Sequence, residues 1–404
     1  MGNLKLAVLN TQPPHLYFGG VERRILETGQ RLTDVNITVY SGTKAGFKKP
    51  IRVNRLEVFP CFSTDILFPI DNWFFNHTLT NSANYIQADV YEAHNASGYR
   101  FIRALRKRQP STPIVQTVHG VLADEYIQTL KSRTLSTRER AATFMMGQLS
   151  KLEGESARNA NLVVAVSNYA AARAAQLYDL EKRKIRVVPN GVDPARFKPT
   201  ADNQNLKKQL GLGNSQIVLF VGRLIPRKGL QFLVNAAKTT VKERNRVLFV
   251  IVGNGPLRRD LTSHIIRLDL SENFRFLGDV KESLLPSLYN CADVFVFPSL
   301  QEGQGIALLE AQASAKPVVA FNVGGVREAV HDGVTGMLVE RGNSDDLAEA
   351  ILRLLSDATM RLRMGAGGRE FVLANYTWDV CAQKMLKVYW EAAGVAPSLS
   401  SMPT

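Results

Sequence analysis

The sequence predicts an α/β protein built from two doubly wound, parallel-sheet domains facing a cleft. Three observations carry this. The chain has 404 residues, and at roughly 100–200 residues per domain two domains fit best. Short, nearly continuous runs of Val, Ile, Leu and Phe recur along it, as strands covered on both faces require. Segments of helical character lie between the runs, so the order is β-α-β-α throughout.

In the first half the strand-like runs are residues 4–9, 37–40, 89–92, 114–118, 162–166 and 185–188. In the second half they are 217–221, 247–252, 274–277, 293–297 and 317–321. Residues 21–32, 230–242 and 283–290 read as helices between them, and 380–392 as a terminal helix. The turn Pro189-Asn-Gly-Val-Asp-Pro194 and the polar stretch to about Ser215 mark the boundary. Residues 1–195 are taken as the first domain, 196–378 as the second, and 379–404 as the terminal helix plus a tail expected to be disordered from Pro397.

Composition narrows the function classes. The chain is 45% hydrophobic and 21% charged, an ordinary globular balance. Cys61, Cys291 and Cys381 are far apart and fit no metal-ligand spacing; they read as buried small hydrophobes in a reducing compartment. No run approaches the roughly 20 apolar residues that span a bilayer. The apolar run at the start is too short for a signal peptide, and Leu6 stands where a myristoylation signal needs Ser or Thr. The expectation is a cytoplasmic protein, with the inner face of the membrane as a peripheral option; the sequon at Asn76 then has no use. Fifty basic and 36 acidic side chains give a net charge of +14. Acidic partners suit that charge, and so does a plainly solvated basic surface. Basic stretches interleaved with exposed aromatics are missing, so nucleic acid is not expected as a partner.

Open parallel sheets bind ligands at the carboxyl ends of their strands, so chemistry is sought directly after them. Gly222-Arg-Leu-Ile-Pro-Arg-Lys-Gly229 follows one strand and sets Arg223 and Lys228 in one loop. A fork-shaped and a point-like cation so placed can clamp a diphosphate. After the run 293–297 comes Glu302, then Gly303-Gln304-Gly305-Ile306 at a helix start, where amides favour phosphate. Glu310 lies just over a turn inside that helix, where a carboxylate can accept two ribose hydroxyls. Glu302 can hold a sugar hydroxyl or a developing positive charge. His119 ends the strand at 118. Gly19-Gly20, between the first strand and helix, suits a close approach of backbone to ligand. Each residue alone also fits an ordinary structural role.

Taken together the sequence resembles the retaining glycosyltransferases of the GT-B class, family 4 type. The resemblance rests on Gly19-Gly20, His119, Val187-Val-Pro-Asn-Gly-Val-Asp193, Arg223 through Lys228-Gly229, Val252-Gly-Asn-Gly255 and Phe276-Leu-Gly278. The glutamates Glu302 and Glu310, Pro317-Val-Val319 and Gly324-Gly-Val-Arg-Glu328 through Asp332-Gly-Val-Thr-Gly336 extend it, from about residue 4 to 340. It implies a GT-B fold of Rossmann-like domains, the first for the acceptor and the second for a UDP- or GDP-linked sugar, with the terminal helix crossing back to the first. It implies that Arg223 and Lys228 neutralise the leaving diphosphate, Glu310 holds the ribose and backbone near Leu277 meets the base. Glu302 with Gly303, Gln304, Gly305 and Ile306 grips donor sugar and phosphates, His119 touches the sugar, and Gly19 and Gly20 admit the substrates. Lys281 is within possible reach of the nucleotide. Two residues depart from the family pattern: Gln304 where an apolar residue is common, and Ala315 where glycine is usual.

The implied reaction is hexosyl transfer with retention, without a cofactor, to a growing glycan or a lipid-linked sugar. No Asp-x-Asp or other clustered metal ligands appear, so the cations stand in for a metal. The basic stretch from Arg100 to Arg108 reads as an amphipathic helix, either against an anionic membrane or as a solvated face. The apolar stretch 66–75 suits an acceptor groove or a core. Rival functions are a sugar-nucleotide epimerase of the same fold and an inactive sugar-nucleotide-binding protein. A dehydrogenase is disfavoured by the incomplete glycine fingerprint at Gly253.

Overall fold

The computed structural model describes residues 4–17, 19–64, 70–82, 85–130, 137–200 and 204–394. The tail from Pro397, and residues 66–69 of the apolar stretch, lie outside the described residues. The chain divides into two compact units, one of residues up to Asn190 together with those from Trp378, the other Gly191–Thr377.

In the first unit the strands are β1 (Leu4–Asn10), β2 (Val35–Gly42), β3 (Ile51–Val53), β4 (Leu56–Cys61), β5 (Val90–His94), β6 (Ile114–Val118), β7 (Leu162–Ala165) and β8 (Ile185–Val187). They lie in the order β3-β4-β2-β1-β5-β6-β7-β8. All pairs are parallel except β3 with β4. In the second unit β9 (Gln216–Val221), β10 (Val247–Val252), β11 (Phe274–Gly278), β12 (Val294–Phe297), β13 (Val318–Phe321) and β14 (Gly336–Val339) form a parallel sheet ordered β11-β10-β9-β12-β13-β14. Every residue of β5, β6, β7, β10, β12 and β13 is buried, which is why these strands read as unbroken apolar runs.

The sequence reading misses β3, β4 and β14. Arg52, Glu57 and Pro60 break the apolar signal of β3 and β4, and β3 is a short antiparallel edge, where such residues are tolerated. β14 opens on Gly336 at the other sheet's edge.

Strand order reverses beside β1 in the first sheet and beside β9 in the second. Loops from neighbouring strands diverge there and leave a crevice at the strands' carboxyl ends. The helix Trp378–Ala393 belongs to the first unit. Buried Arg24, on the helix Gly20–Arg31, explains the attachment. Its guanidinium donates to the Val188 carbonyl at 2.9 Å and Asn190 Oδ1 at 3.0 Å, and lies 3.1 Å from Met385 Sδ. Tyr389 donates from its hydroxyl to Glu92 at 2.6 Å, and Arg31 pairs with Asp379 at 3.2 Å. At the seam, Val192 pairs with Thr377 in a parallel bridge.

The basic helix Tyr99–Arg108 spends cations on its own unit. Arg106 donates to the carbonyls of Asn159 and Thr112, Arg103 pairs with Glu155 at 3.2 Å, and Arg100 lies 5.9 Å from the Trp73 ring. No helix of the described residues is long and apolar enough to cross a membrane. All three cysteines are buried and free, and burial pushes the Cys61 thiol up to about 12.

Candidate active site

The second unit places Arg223 and Lys228 after β9 and Glu302 through Glu310 after β12, while Leu277 lies in β11. A short turn at Pro226–Lys228 ends on Gly229, at φ +65°. A Cβ at Gly229 would collide with the Pro298 carbonyl oxygen, so only glycine lets the two loops close on each other. Leu300 N donates to the Arg227 carbonyl at 2.8 Å and completes the stitch. The result is an ion cluster. Glu302, with 13% of its side chain exposed, pairs with Lys228 Nζ, and Arg227 approaches the same oxygen at 3.6 Å. Burial alone would raise the Glu302 carboxyl, but the Lys228 and Arg227 charges outweigh it and hold the group below its usual range. Lys228 also lies 4.6 Å from the Phe297 ring centre.

Arg223 sits in the same loop but is exposed, and its guanidinium makes no ion pair or hydrogen bond among the described residues. The two cations expected to act as a pair therefore differ: Lys228 is fixed by Glu302, and Arg223 is free to meet a ligand. The cluster of Lys228, Arg227 and Glu302 carries one net positive charge, and Arg223 adds a second.

Gly303, Gln304 and Gly305 turn into the helix Ile306–Ala313. Gly305 caps that helix at φ +96° with no side chain accepting from the first amides, so a cap residue with a side chain is excluded by backbone geometry. Gln304 is buried rather than facing solvent. Gly325 N donates to the Glu302 carbonyl at 3.1 Å and fixes the loop from behind. Buried Glu310 receives a 2.8 Å hydrogen bond from the Tyr289 hydroxyl, so one carboxylate oxygen is already engaged and its orientation is set. Leu277 lies near the end of edge strand β11, half-buried. Next to it, Arg258 stacks over Phe276 at 4.9 Å. Lys281 is exposed.

In the first unit Gly19 is the N-cap of the helix Gly20–Arg31, both glycines are exposed, and a Cβ at Gly19 would strike the Glu22 carboxylate. His119 follows β6, and its amide donates to Asn95 Oδ1 at 3.0 Å. Its Nε2 is 2.9 Å from Nδ1 of His94, which ends β5. Burial lowers both rings, His94 to about 4 and His119 well below the usual value.

Sequence reasoning missed Arg227, Tyr289, Glu92 and His94. His94 carries the same signal as His119, a histidine closing a strand, but the strand-like run in the sequence ends at Glu92. Arg227 is the neighbour of Lys228 in the loop from Gly222 to Gly229. Nothing in residues 283–290 marked Tyr289.

Two family models match the chain. A model described as Glycosyltransferase Family 4 matches residues 18–196, and one described as Glycosyl transferases group 1 matches 202–371. The D-inositol 3-phosphate glycosyltransferase of Salinispora arenicola is 32% identical over 319 residues, 74% of this chain and 68% of that one. A GDP-mannose-dependent alpha-(1-6)-phosphatidylinositol monomannoside mannosyltransferase of Mycobacterium tuberculosis is 35% identical over 233 residues, 56% of this chain and 60% of its own length. Alignment with the mycobacterial relative thus spans less than two thirds of that protein. Among solved structures, the sucrose-phosphate synthase of Thermosynechococcus elongatus superposes with a TM-score of 0.81 at 21% identity, covering 96% of this chain and 98% of that one. The fold is GT-B. The chain belongs to the family 4 type of glycosyltransferases.

Proposed function

We propose that the protein transfers a hexosyl group from a nucleotide-diphosphate sugar, UDP- or GDP-linked, to an acceptor hydroxyl with retention of configuration. One observation carries this reading. A fixed Lys228–Glu302–Arg227 cluster lies just before a helix start with no side-chain cap, Arg223 stands in the same loop as Lys228 with its guanidinium unpaired among the described residues, and Glu310, held by Tyr289, lies one turn inside the helix. In the transfer, negative charge grows on the departing diphosphate, and pre-oriented cations stabilise it most. Arg223 meets that charge directly, and Lys228 meets it in an orientation set by Glu302. The amides of Gly305 and Ile306 add helix-terminal partial charge. Glu310, steadied by Tyr289, takes the ribose. His119 touches the donor sugar, and the leaving oxygen accepts the acceptor's proton on the same face. The cations do the work that other enzymes assign to a divalent metal.

The acceptor is a glycan or a lipid-linked sugar. The two relatives named above act, by their names, on inositol-phosphate compounds, and the net charge of +14 suits an anionic head group, so inositol phosphates are the first acceptors to try. The test is a thermal-shift screen of UDP- and GDP-sugars, because a ligand that binds only the folded state raises the melting point. Turnover is then followed with the winning donor, with and without EDTA, and the anomeric configuration of the product is read by NMR. Product only in the absence of chelator, or an inverted anomer, would remove the metal-free retaining part. Isomerised donor without any acceptor would favour an epimerase.

A further inference from the structure

We propose that His94 is a positioning residue that decides which nitrogen of His119 carries its proton, with Glu92 as the anchor of the pair. The inference deepens the reading of His119 given above and rests on it for its functional part.

The hydrogen bond between His94 Nδ1 and His119 Nε2, at 2.9 Å, holds a single proton when both rings are neutral. Which ring donates is settled on the far side of His94. There Nε2 is buried, makes no hydrogen bond, and faces Glu92 Oε1 at 3.6 Å. The Glu92 carboxylate already accepts from Thr117 Oγ1 at 2.5 Å and from the Tyr389 hydroxyl at 2.6 Å, which keeps it an acceptor. A bare nitrogen lone pair aimed at that oxygen inside the fold is repelled; an N–H is attracted. His94 therefore carries its proton on Nε2 and presents a bare Nδ1. His119 must then donate from Nε2, and its own Nδ1 is left as the ring's acceptor. That nitrogen has no hydrogen-bond partner among the described residues. His119 thus offers a sugar hydroxyl an acceptor and never a donor. Burial keeps both rings neutral, which the arrangement needs.

Tyr389 extends the chain of contacts to the helix Trp378–Ala393, so residues late in the sequence help set a tautomer beside β6.

The experiment is long-range 1H–15N NMR on the full chain labelled with 15N-histidine, without ligand; the sequence holds six histidines, few enough to assign by substitution. The expected wild-type pattern for His119 is a protonated Nε2 and a bare Nδ1. Glu92→Gln, whose amide can donate to His94 Nε2, should move the His119 proton toward Nδ1. His94→Phe should leave His119 a mixture of both forms. With a sugar-nucleotide donor, Glu92→Gln should lower kcat about 10²-fold with little change in donor KM. A wild-type His119 protonated on Nδ1 would overturn the relay, as would an unchanged tautomer in Glu92→Gln or a loss carried by KM alone. The wild-type spectrum needs no variant to fold and no substrate. The relay therefore stands or falls apart from the glycosyltransferase reading, which the donor screen decides.

Discussion

The loop after β12 carries Glu302 with Lys228 and Arg227 drawn up against it, and the carboxyl is kept ionised although it is mostly covered. The end of β5 and the loop after β6 carry two histidines, His94 and His119, that burial keeps uncharged. In the same first unit Glu153 accepts from the Tyr178 hydroxyl and the Leu122 amide, yet burial still pushes its carboxyl up to about 8. At the end of β12 the second unit holds a charge by surrounding it with opposite charge, whereas at the ends of β5 and β6 the first unit keeps two imidazoles neutral by burial. On the proposed reading, the contrast sets a departing diphosphate at the second unit's charged cluster against a sugar hydroxyl at the neutral His119.

The contrast is broken most severely by Lys228→Ala. It removes a cation from the proposed diphosphate site and leaves Glu302 largely buried with Arg227 alone. Turnover should fall by about 10²-fold or more, and stability by about 3 kcal/mol, read by steady-state kinetics and denaturant unfolding. Arg223→Ala separates the two effects. Turnover should drop about 10²-fold while the melting point stays put, since the exposed guanidinium has no hydrogen-bond or ion-pair partner to lose among the described residues. A shift in melting point there would show that Arg223 supports the loop rather than a ligand.

The pH dependence sharpens the other side. The folded-state value of Glu153 is raised from 4.5 to about 8. Its contribution is therefore fully present below pH 4.5 and lost as pH rises toward 8. His94 and His119 have the opposite sign: depressed from 6.5, they hold stability above pH 6.5 and lose it on acidification. Glu302, also depressed, costs stability only as pH falls below 4.5. Between pH 6.5 and 8 the Glu153 slope stands clear of these groups. Unfolding free energy should fall there by about 1.4 kcal/mol per pH unit near pH 6.5, easing to about half that slope at pH 8, and Glu153→Gln should flatten it.

The smallest effect is expected at Ala315, which adopts φ +54°. A residue with a Cβ is strained in that region, so Ala315→Gly should stabilise by about 1 kcal/mol without touching turnover. The family pattern of glycine there has a backbone cause.

Much of this was legible in the sequence because parallel strands buried on both faces leave an unmistakable pattern. Residues 114–118 and 247–252 were read with the bounds the structure gives them. The edges were not legible, because half-exposed strands such as β3 tolerate charge. At the site, Glu302 and Lys228 could be named from their loops, but not their bond, which joins residues 74 apart. Tyr289 reaches Glu310 across 21 residues from a helix that looks like any other. His94 was hidden by a strand read two residues short. Long-range pairing, rather than residue type, is what one sequence withholds.

The attachment of the helix Trp378–Ala393 has a bearing on how the chain is made. Residues 191–377 are synthesised whole before the first unit receives its last piece. Until then Arg24 lacks Met385 and Glu92 lacks the Tyr389 hydroxyl. The second unit can thus mature on the ribosome while the first, begun earlier, waits with an open seam. A chaperone that binds nascent chains would be expected to hold longest to the part that emerged first.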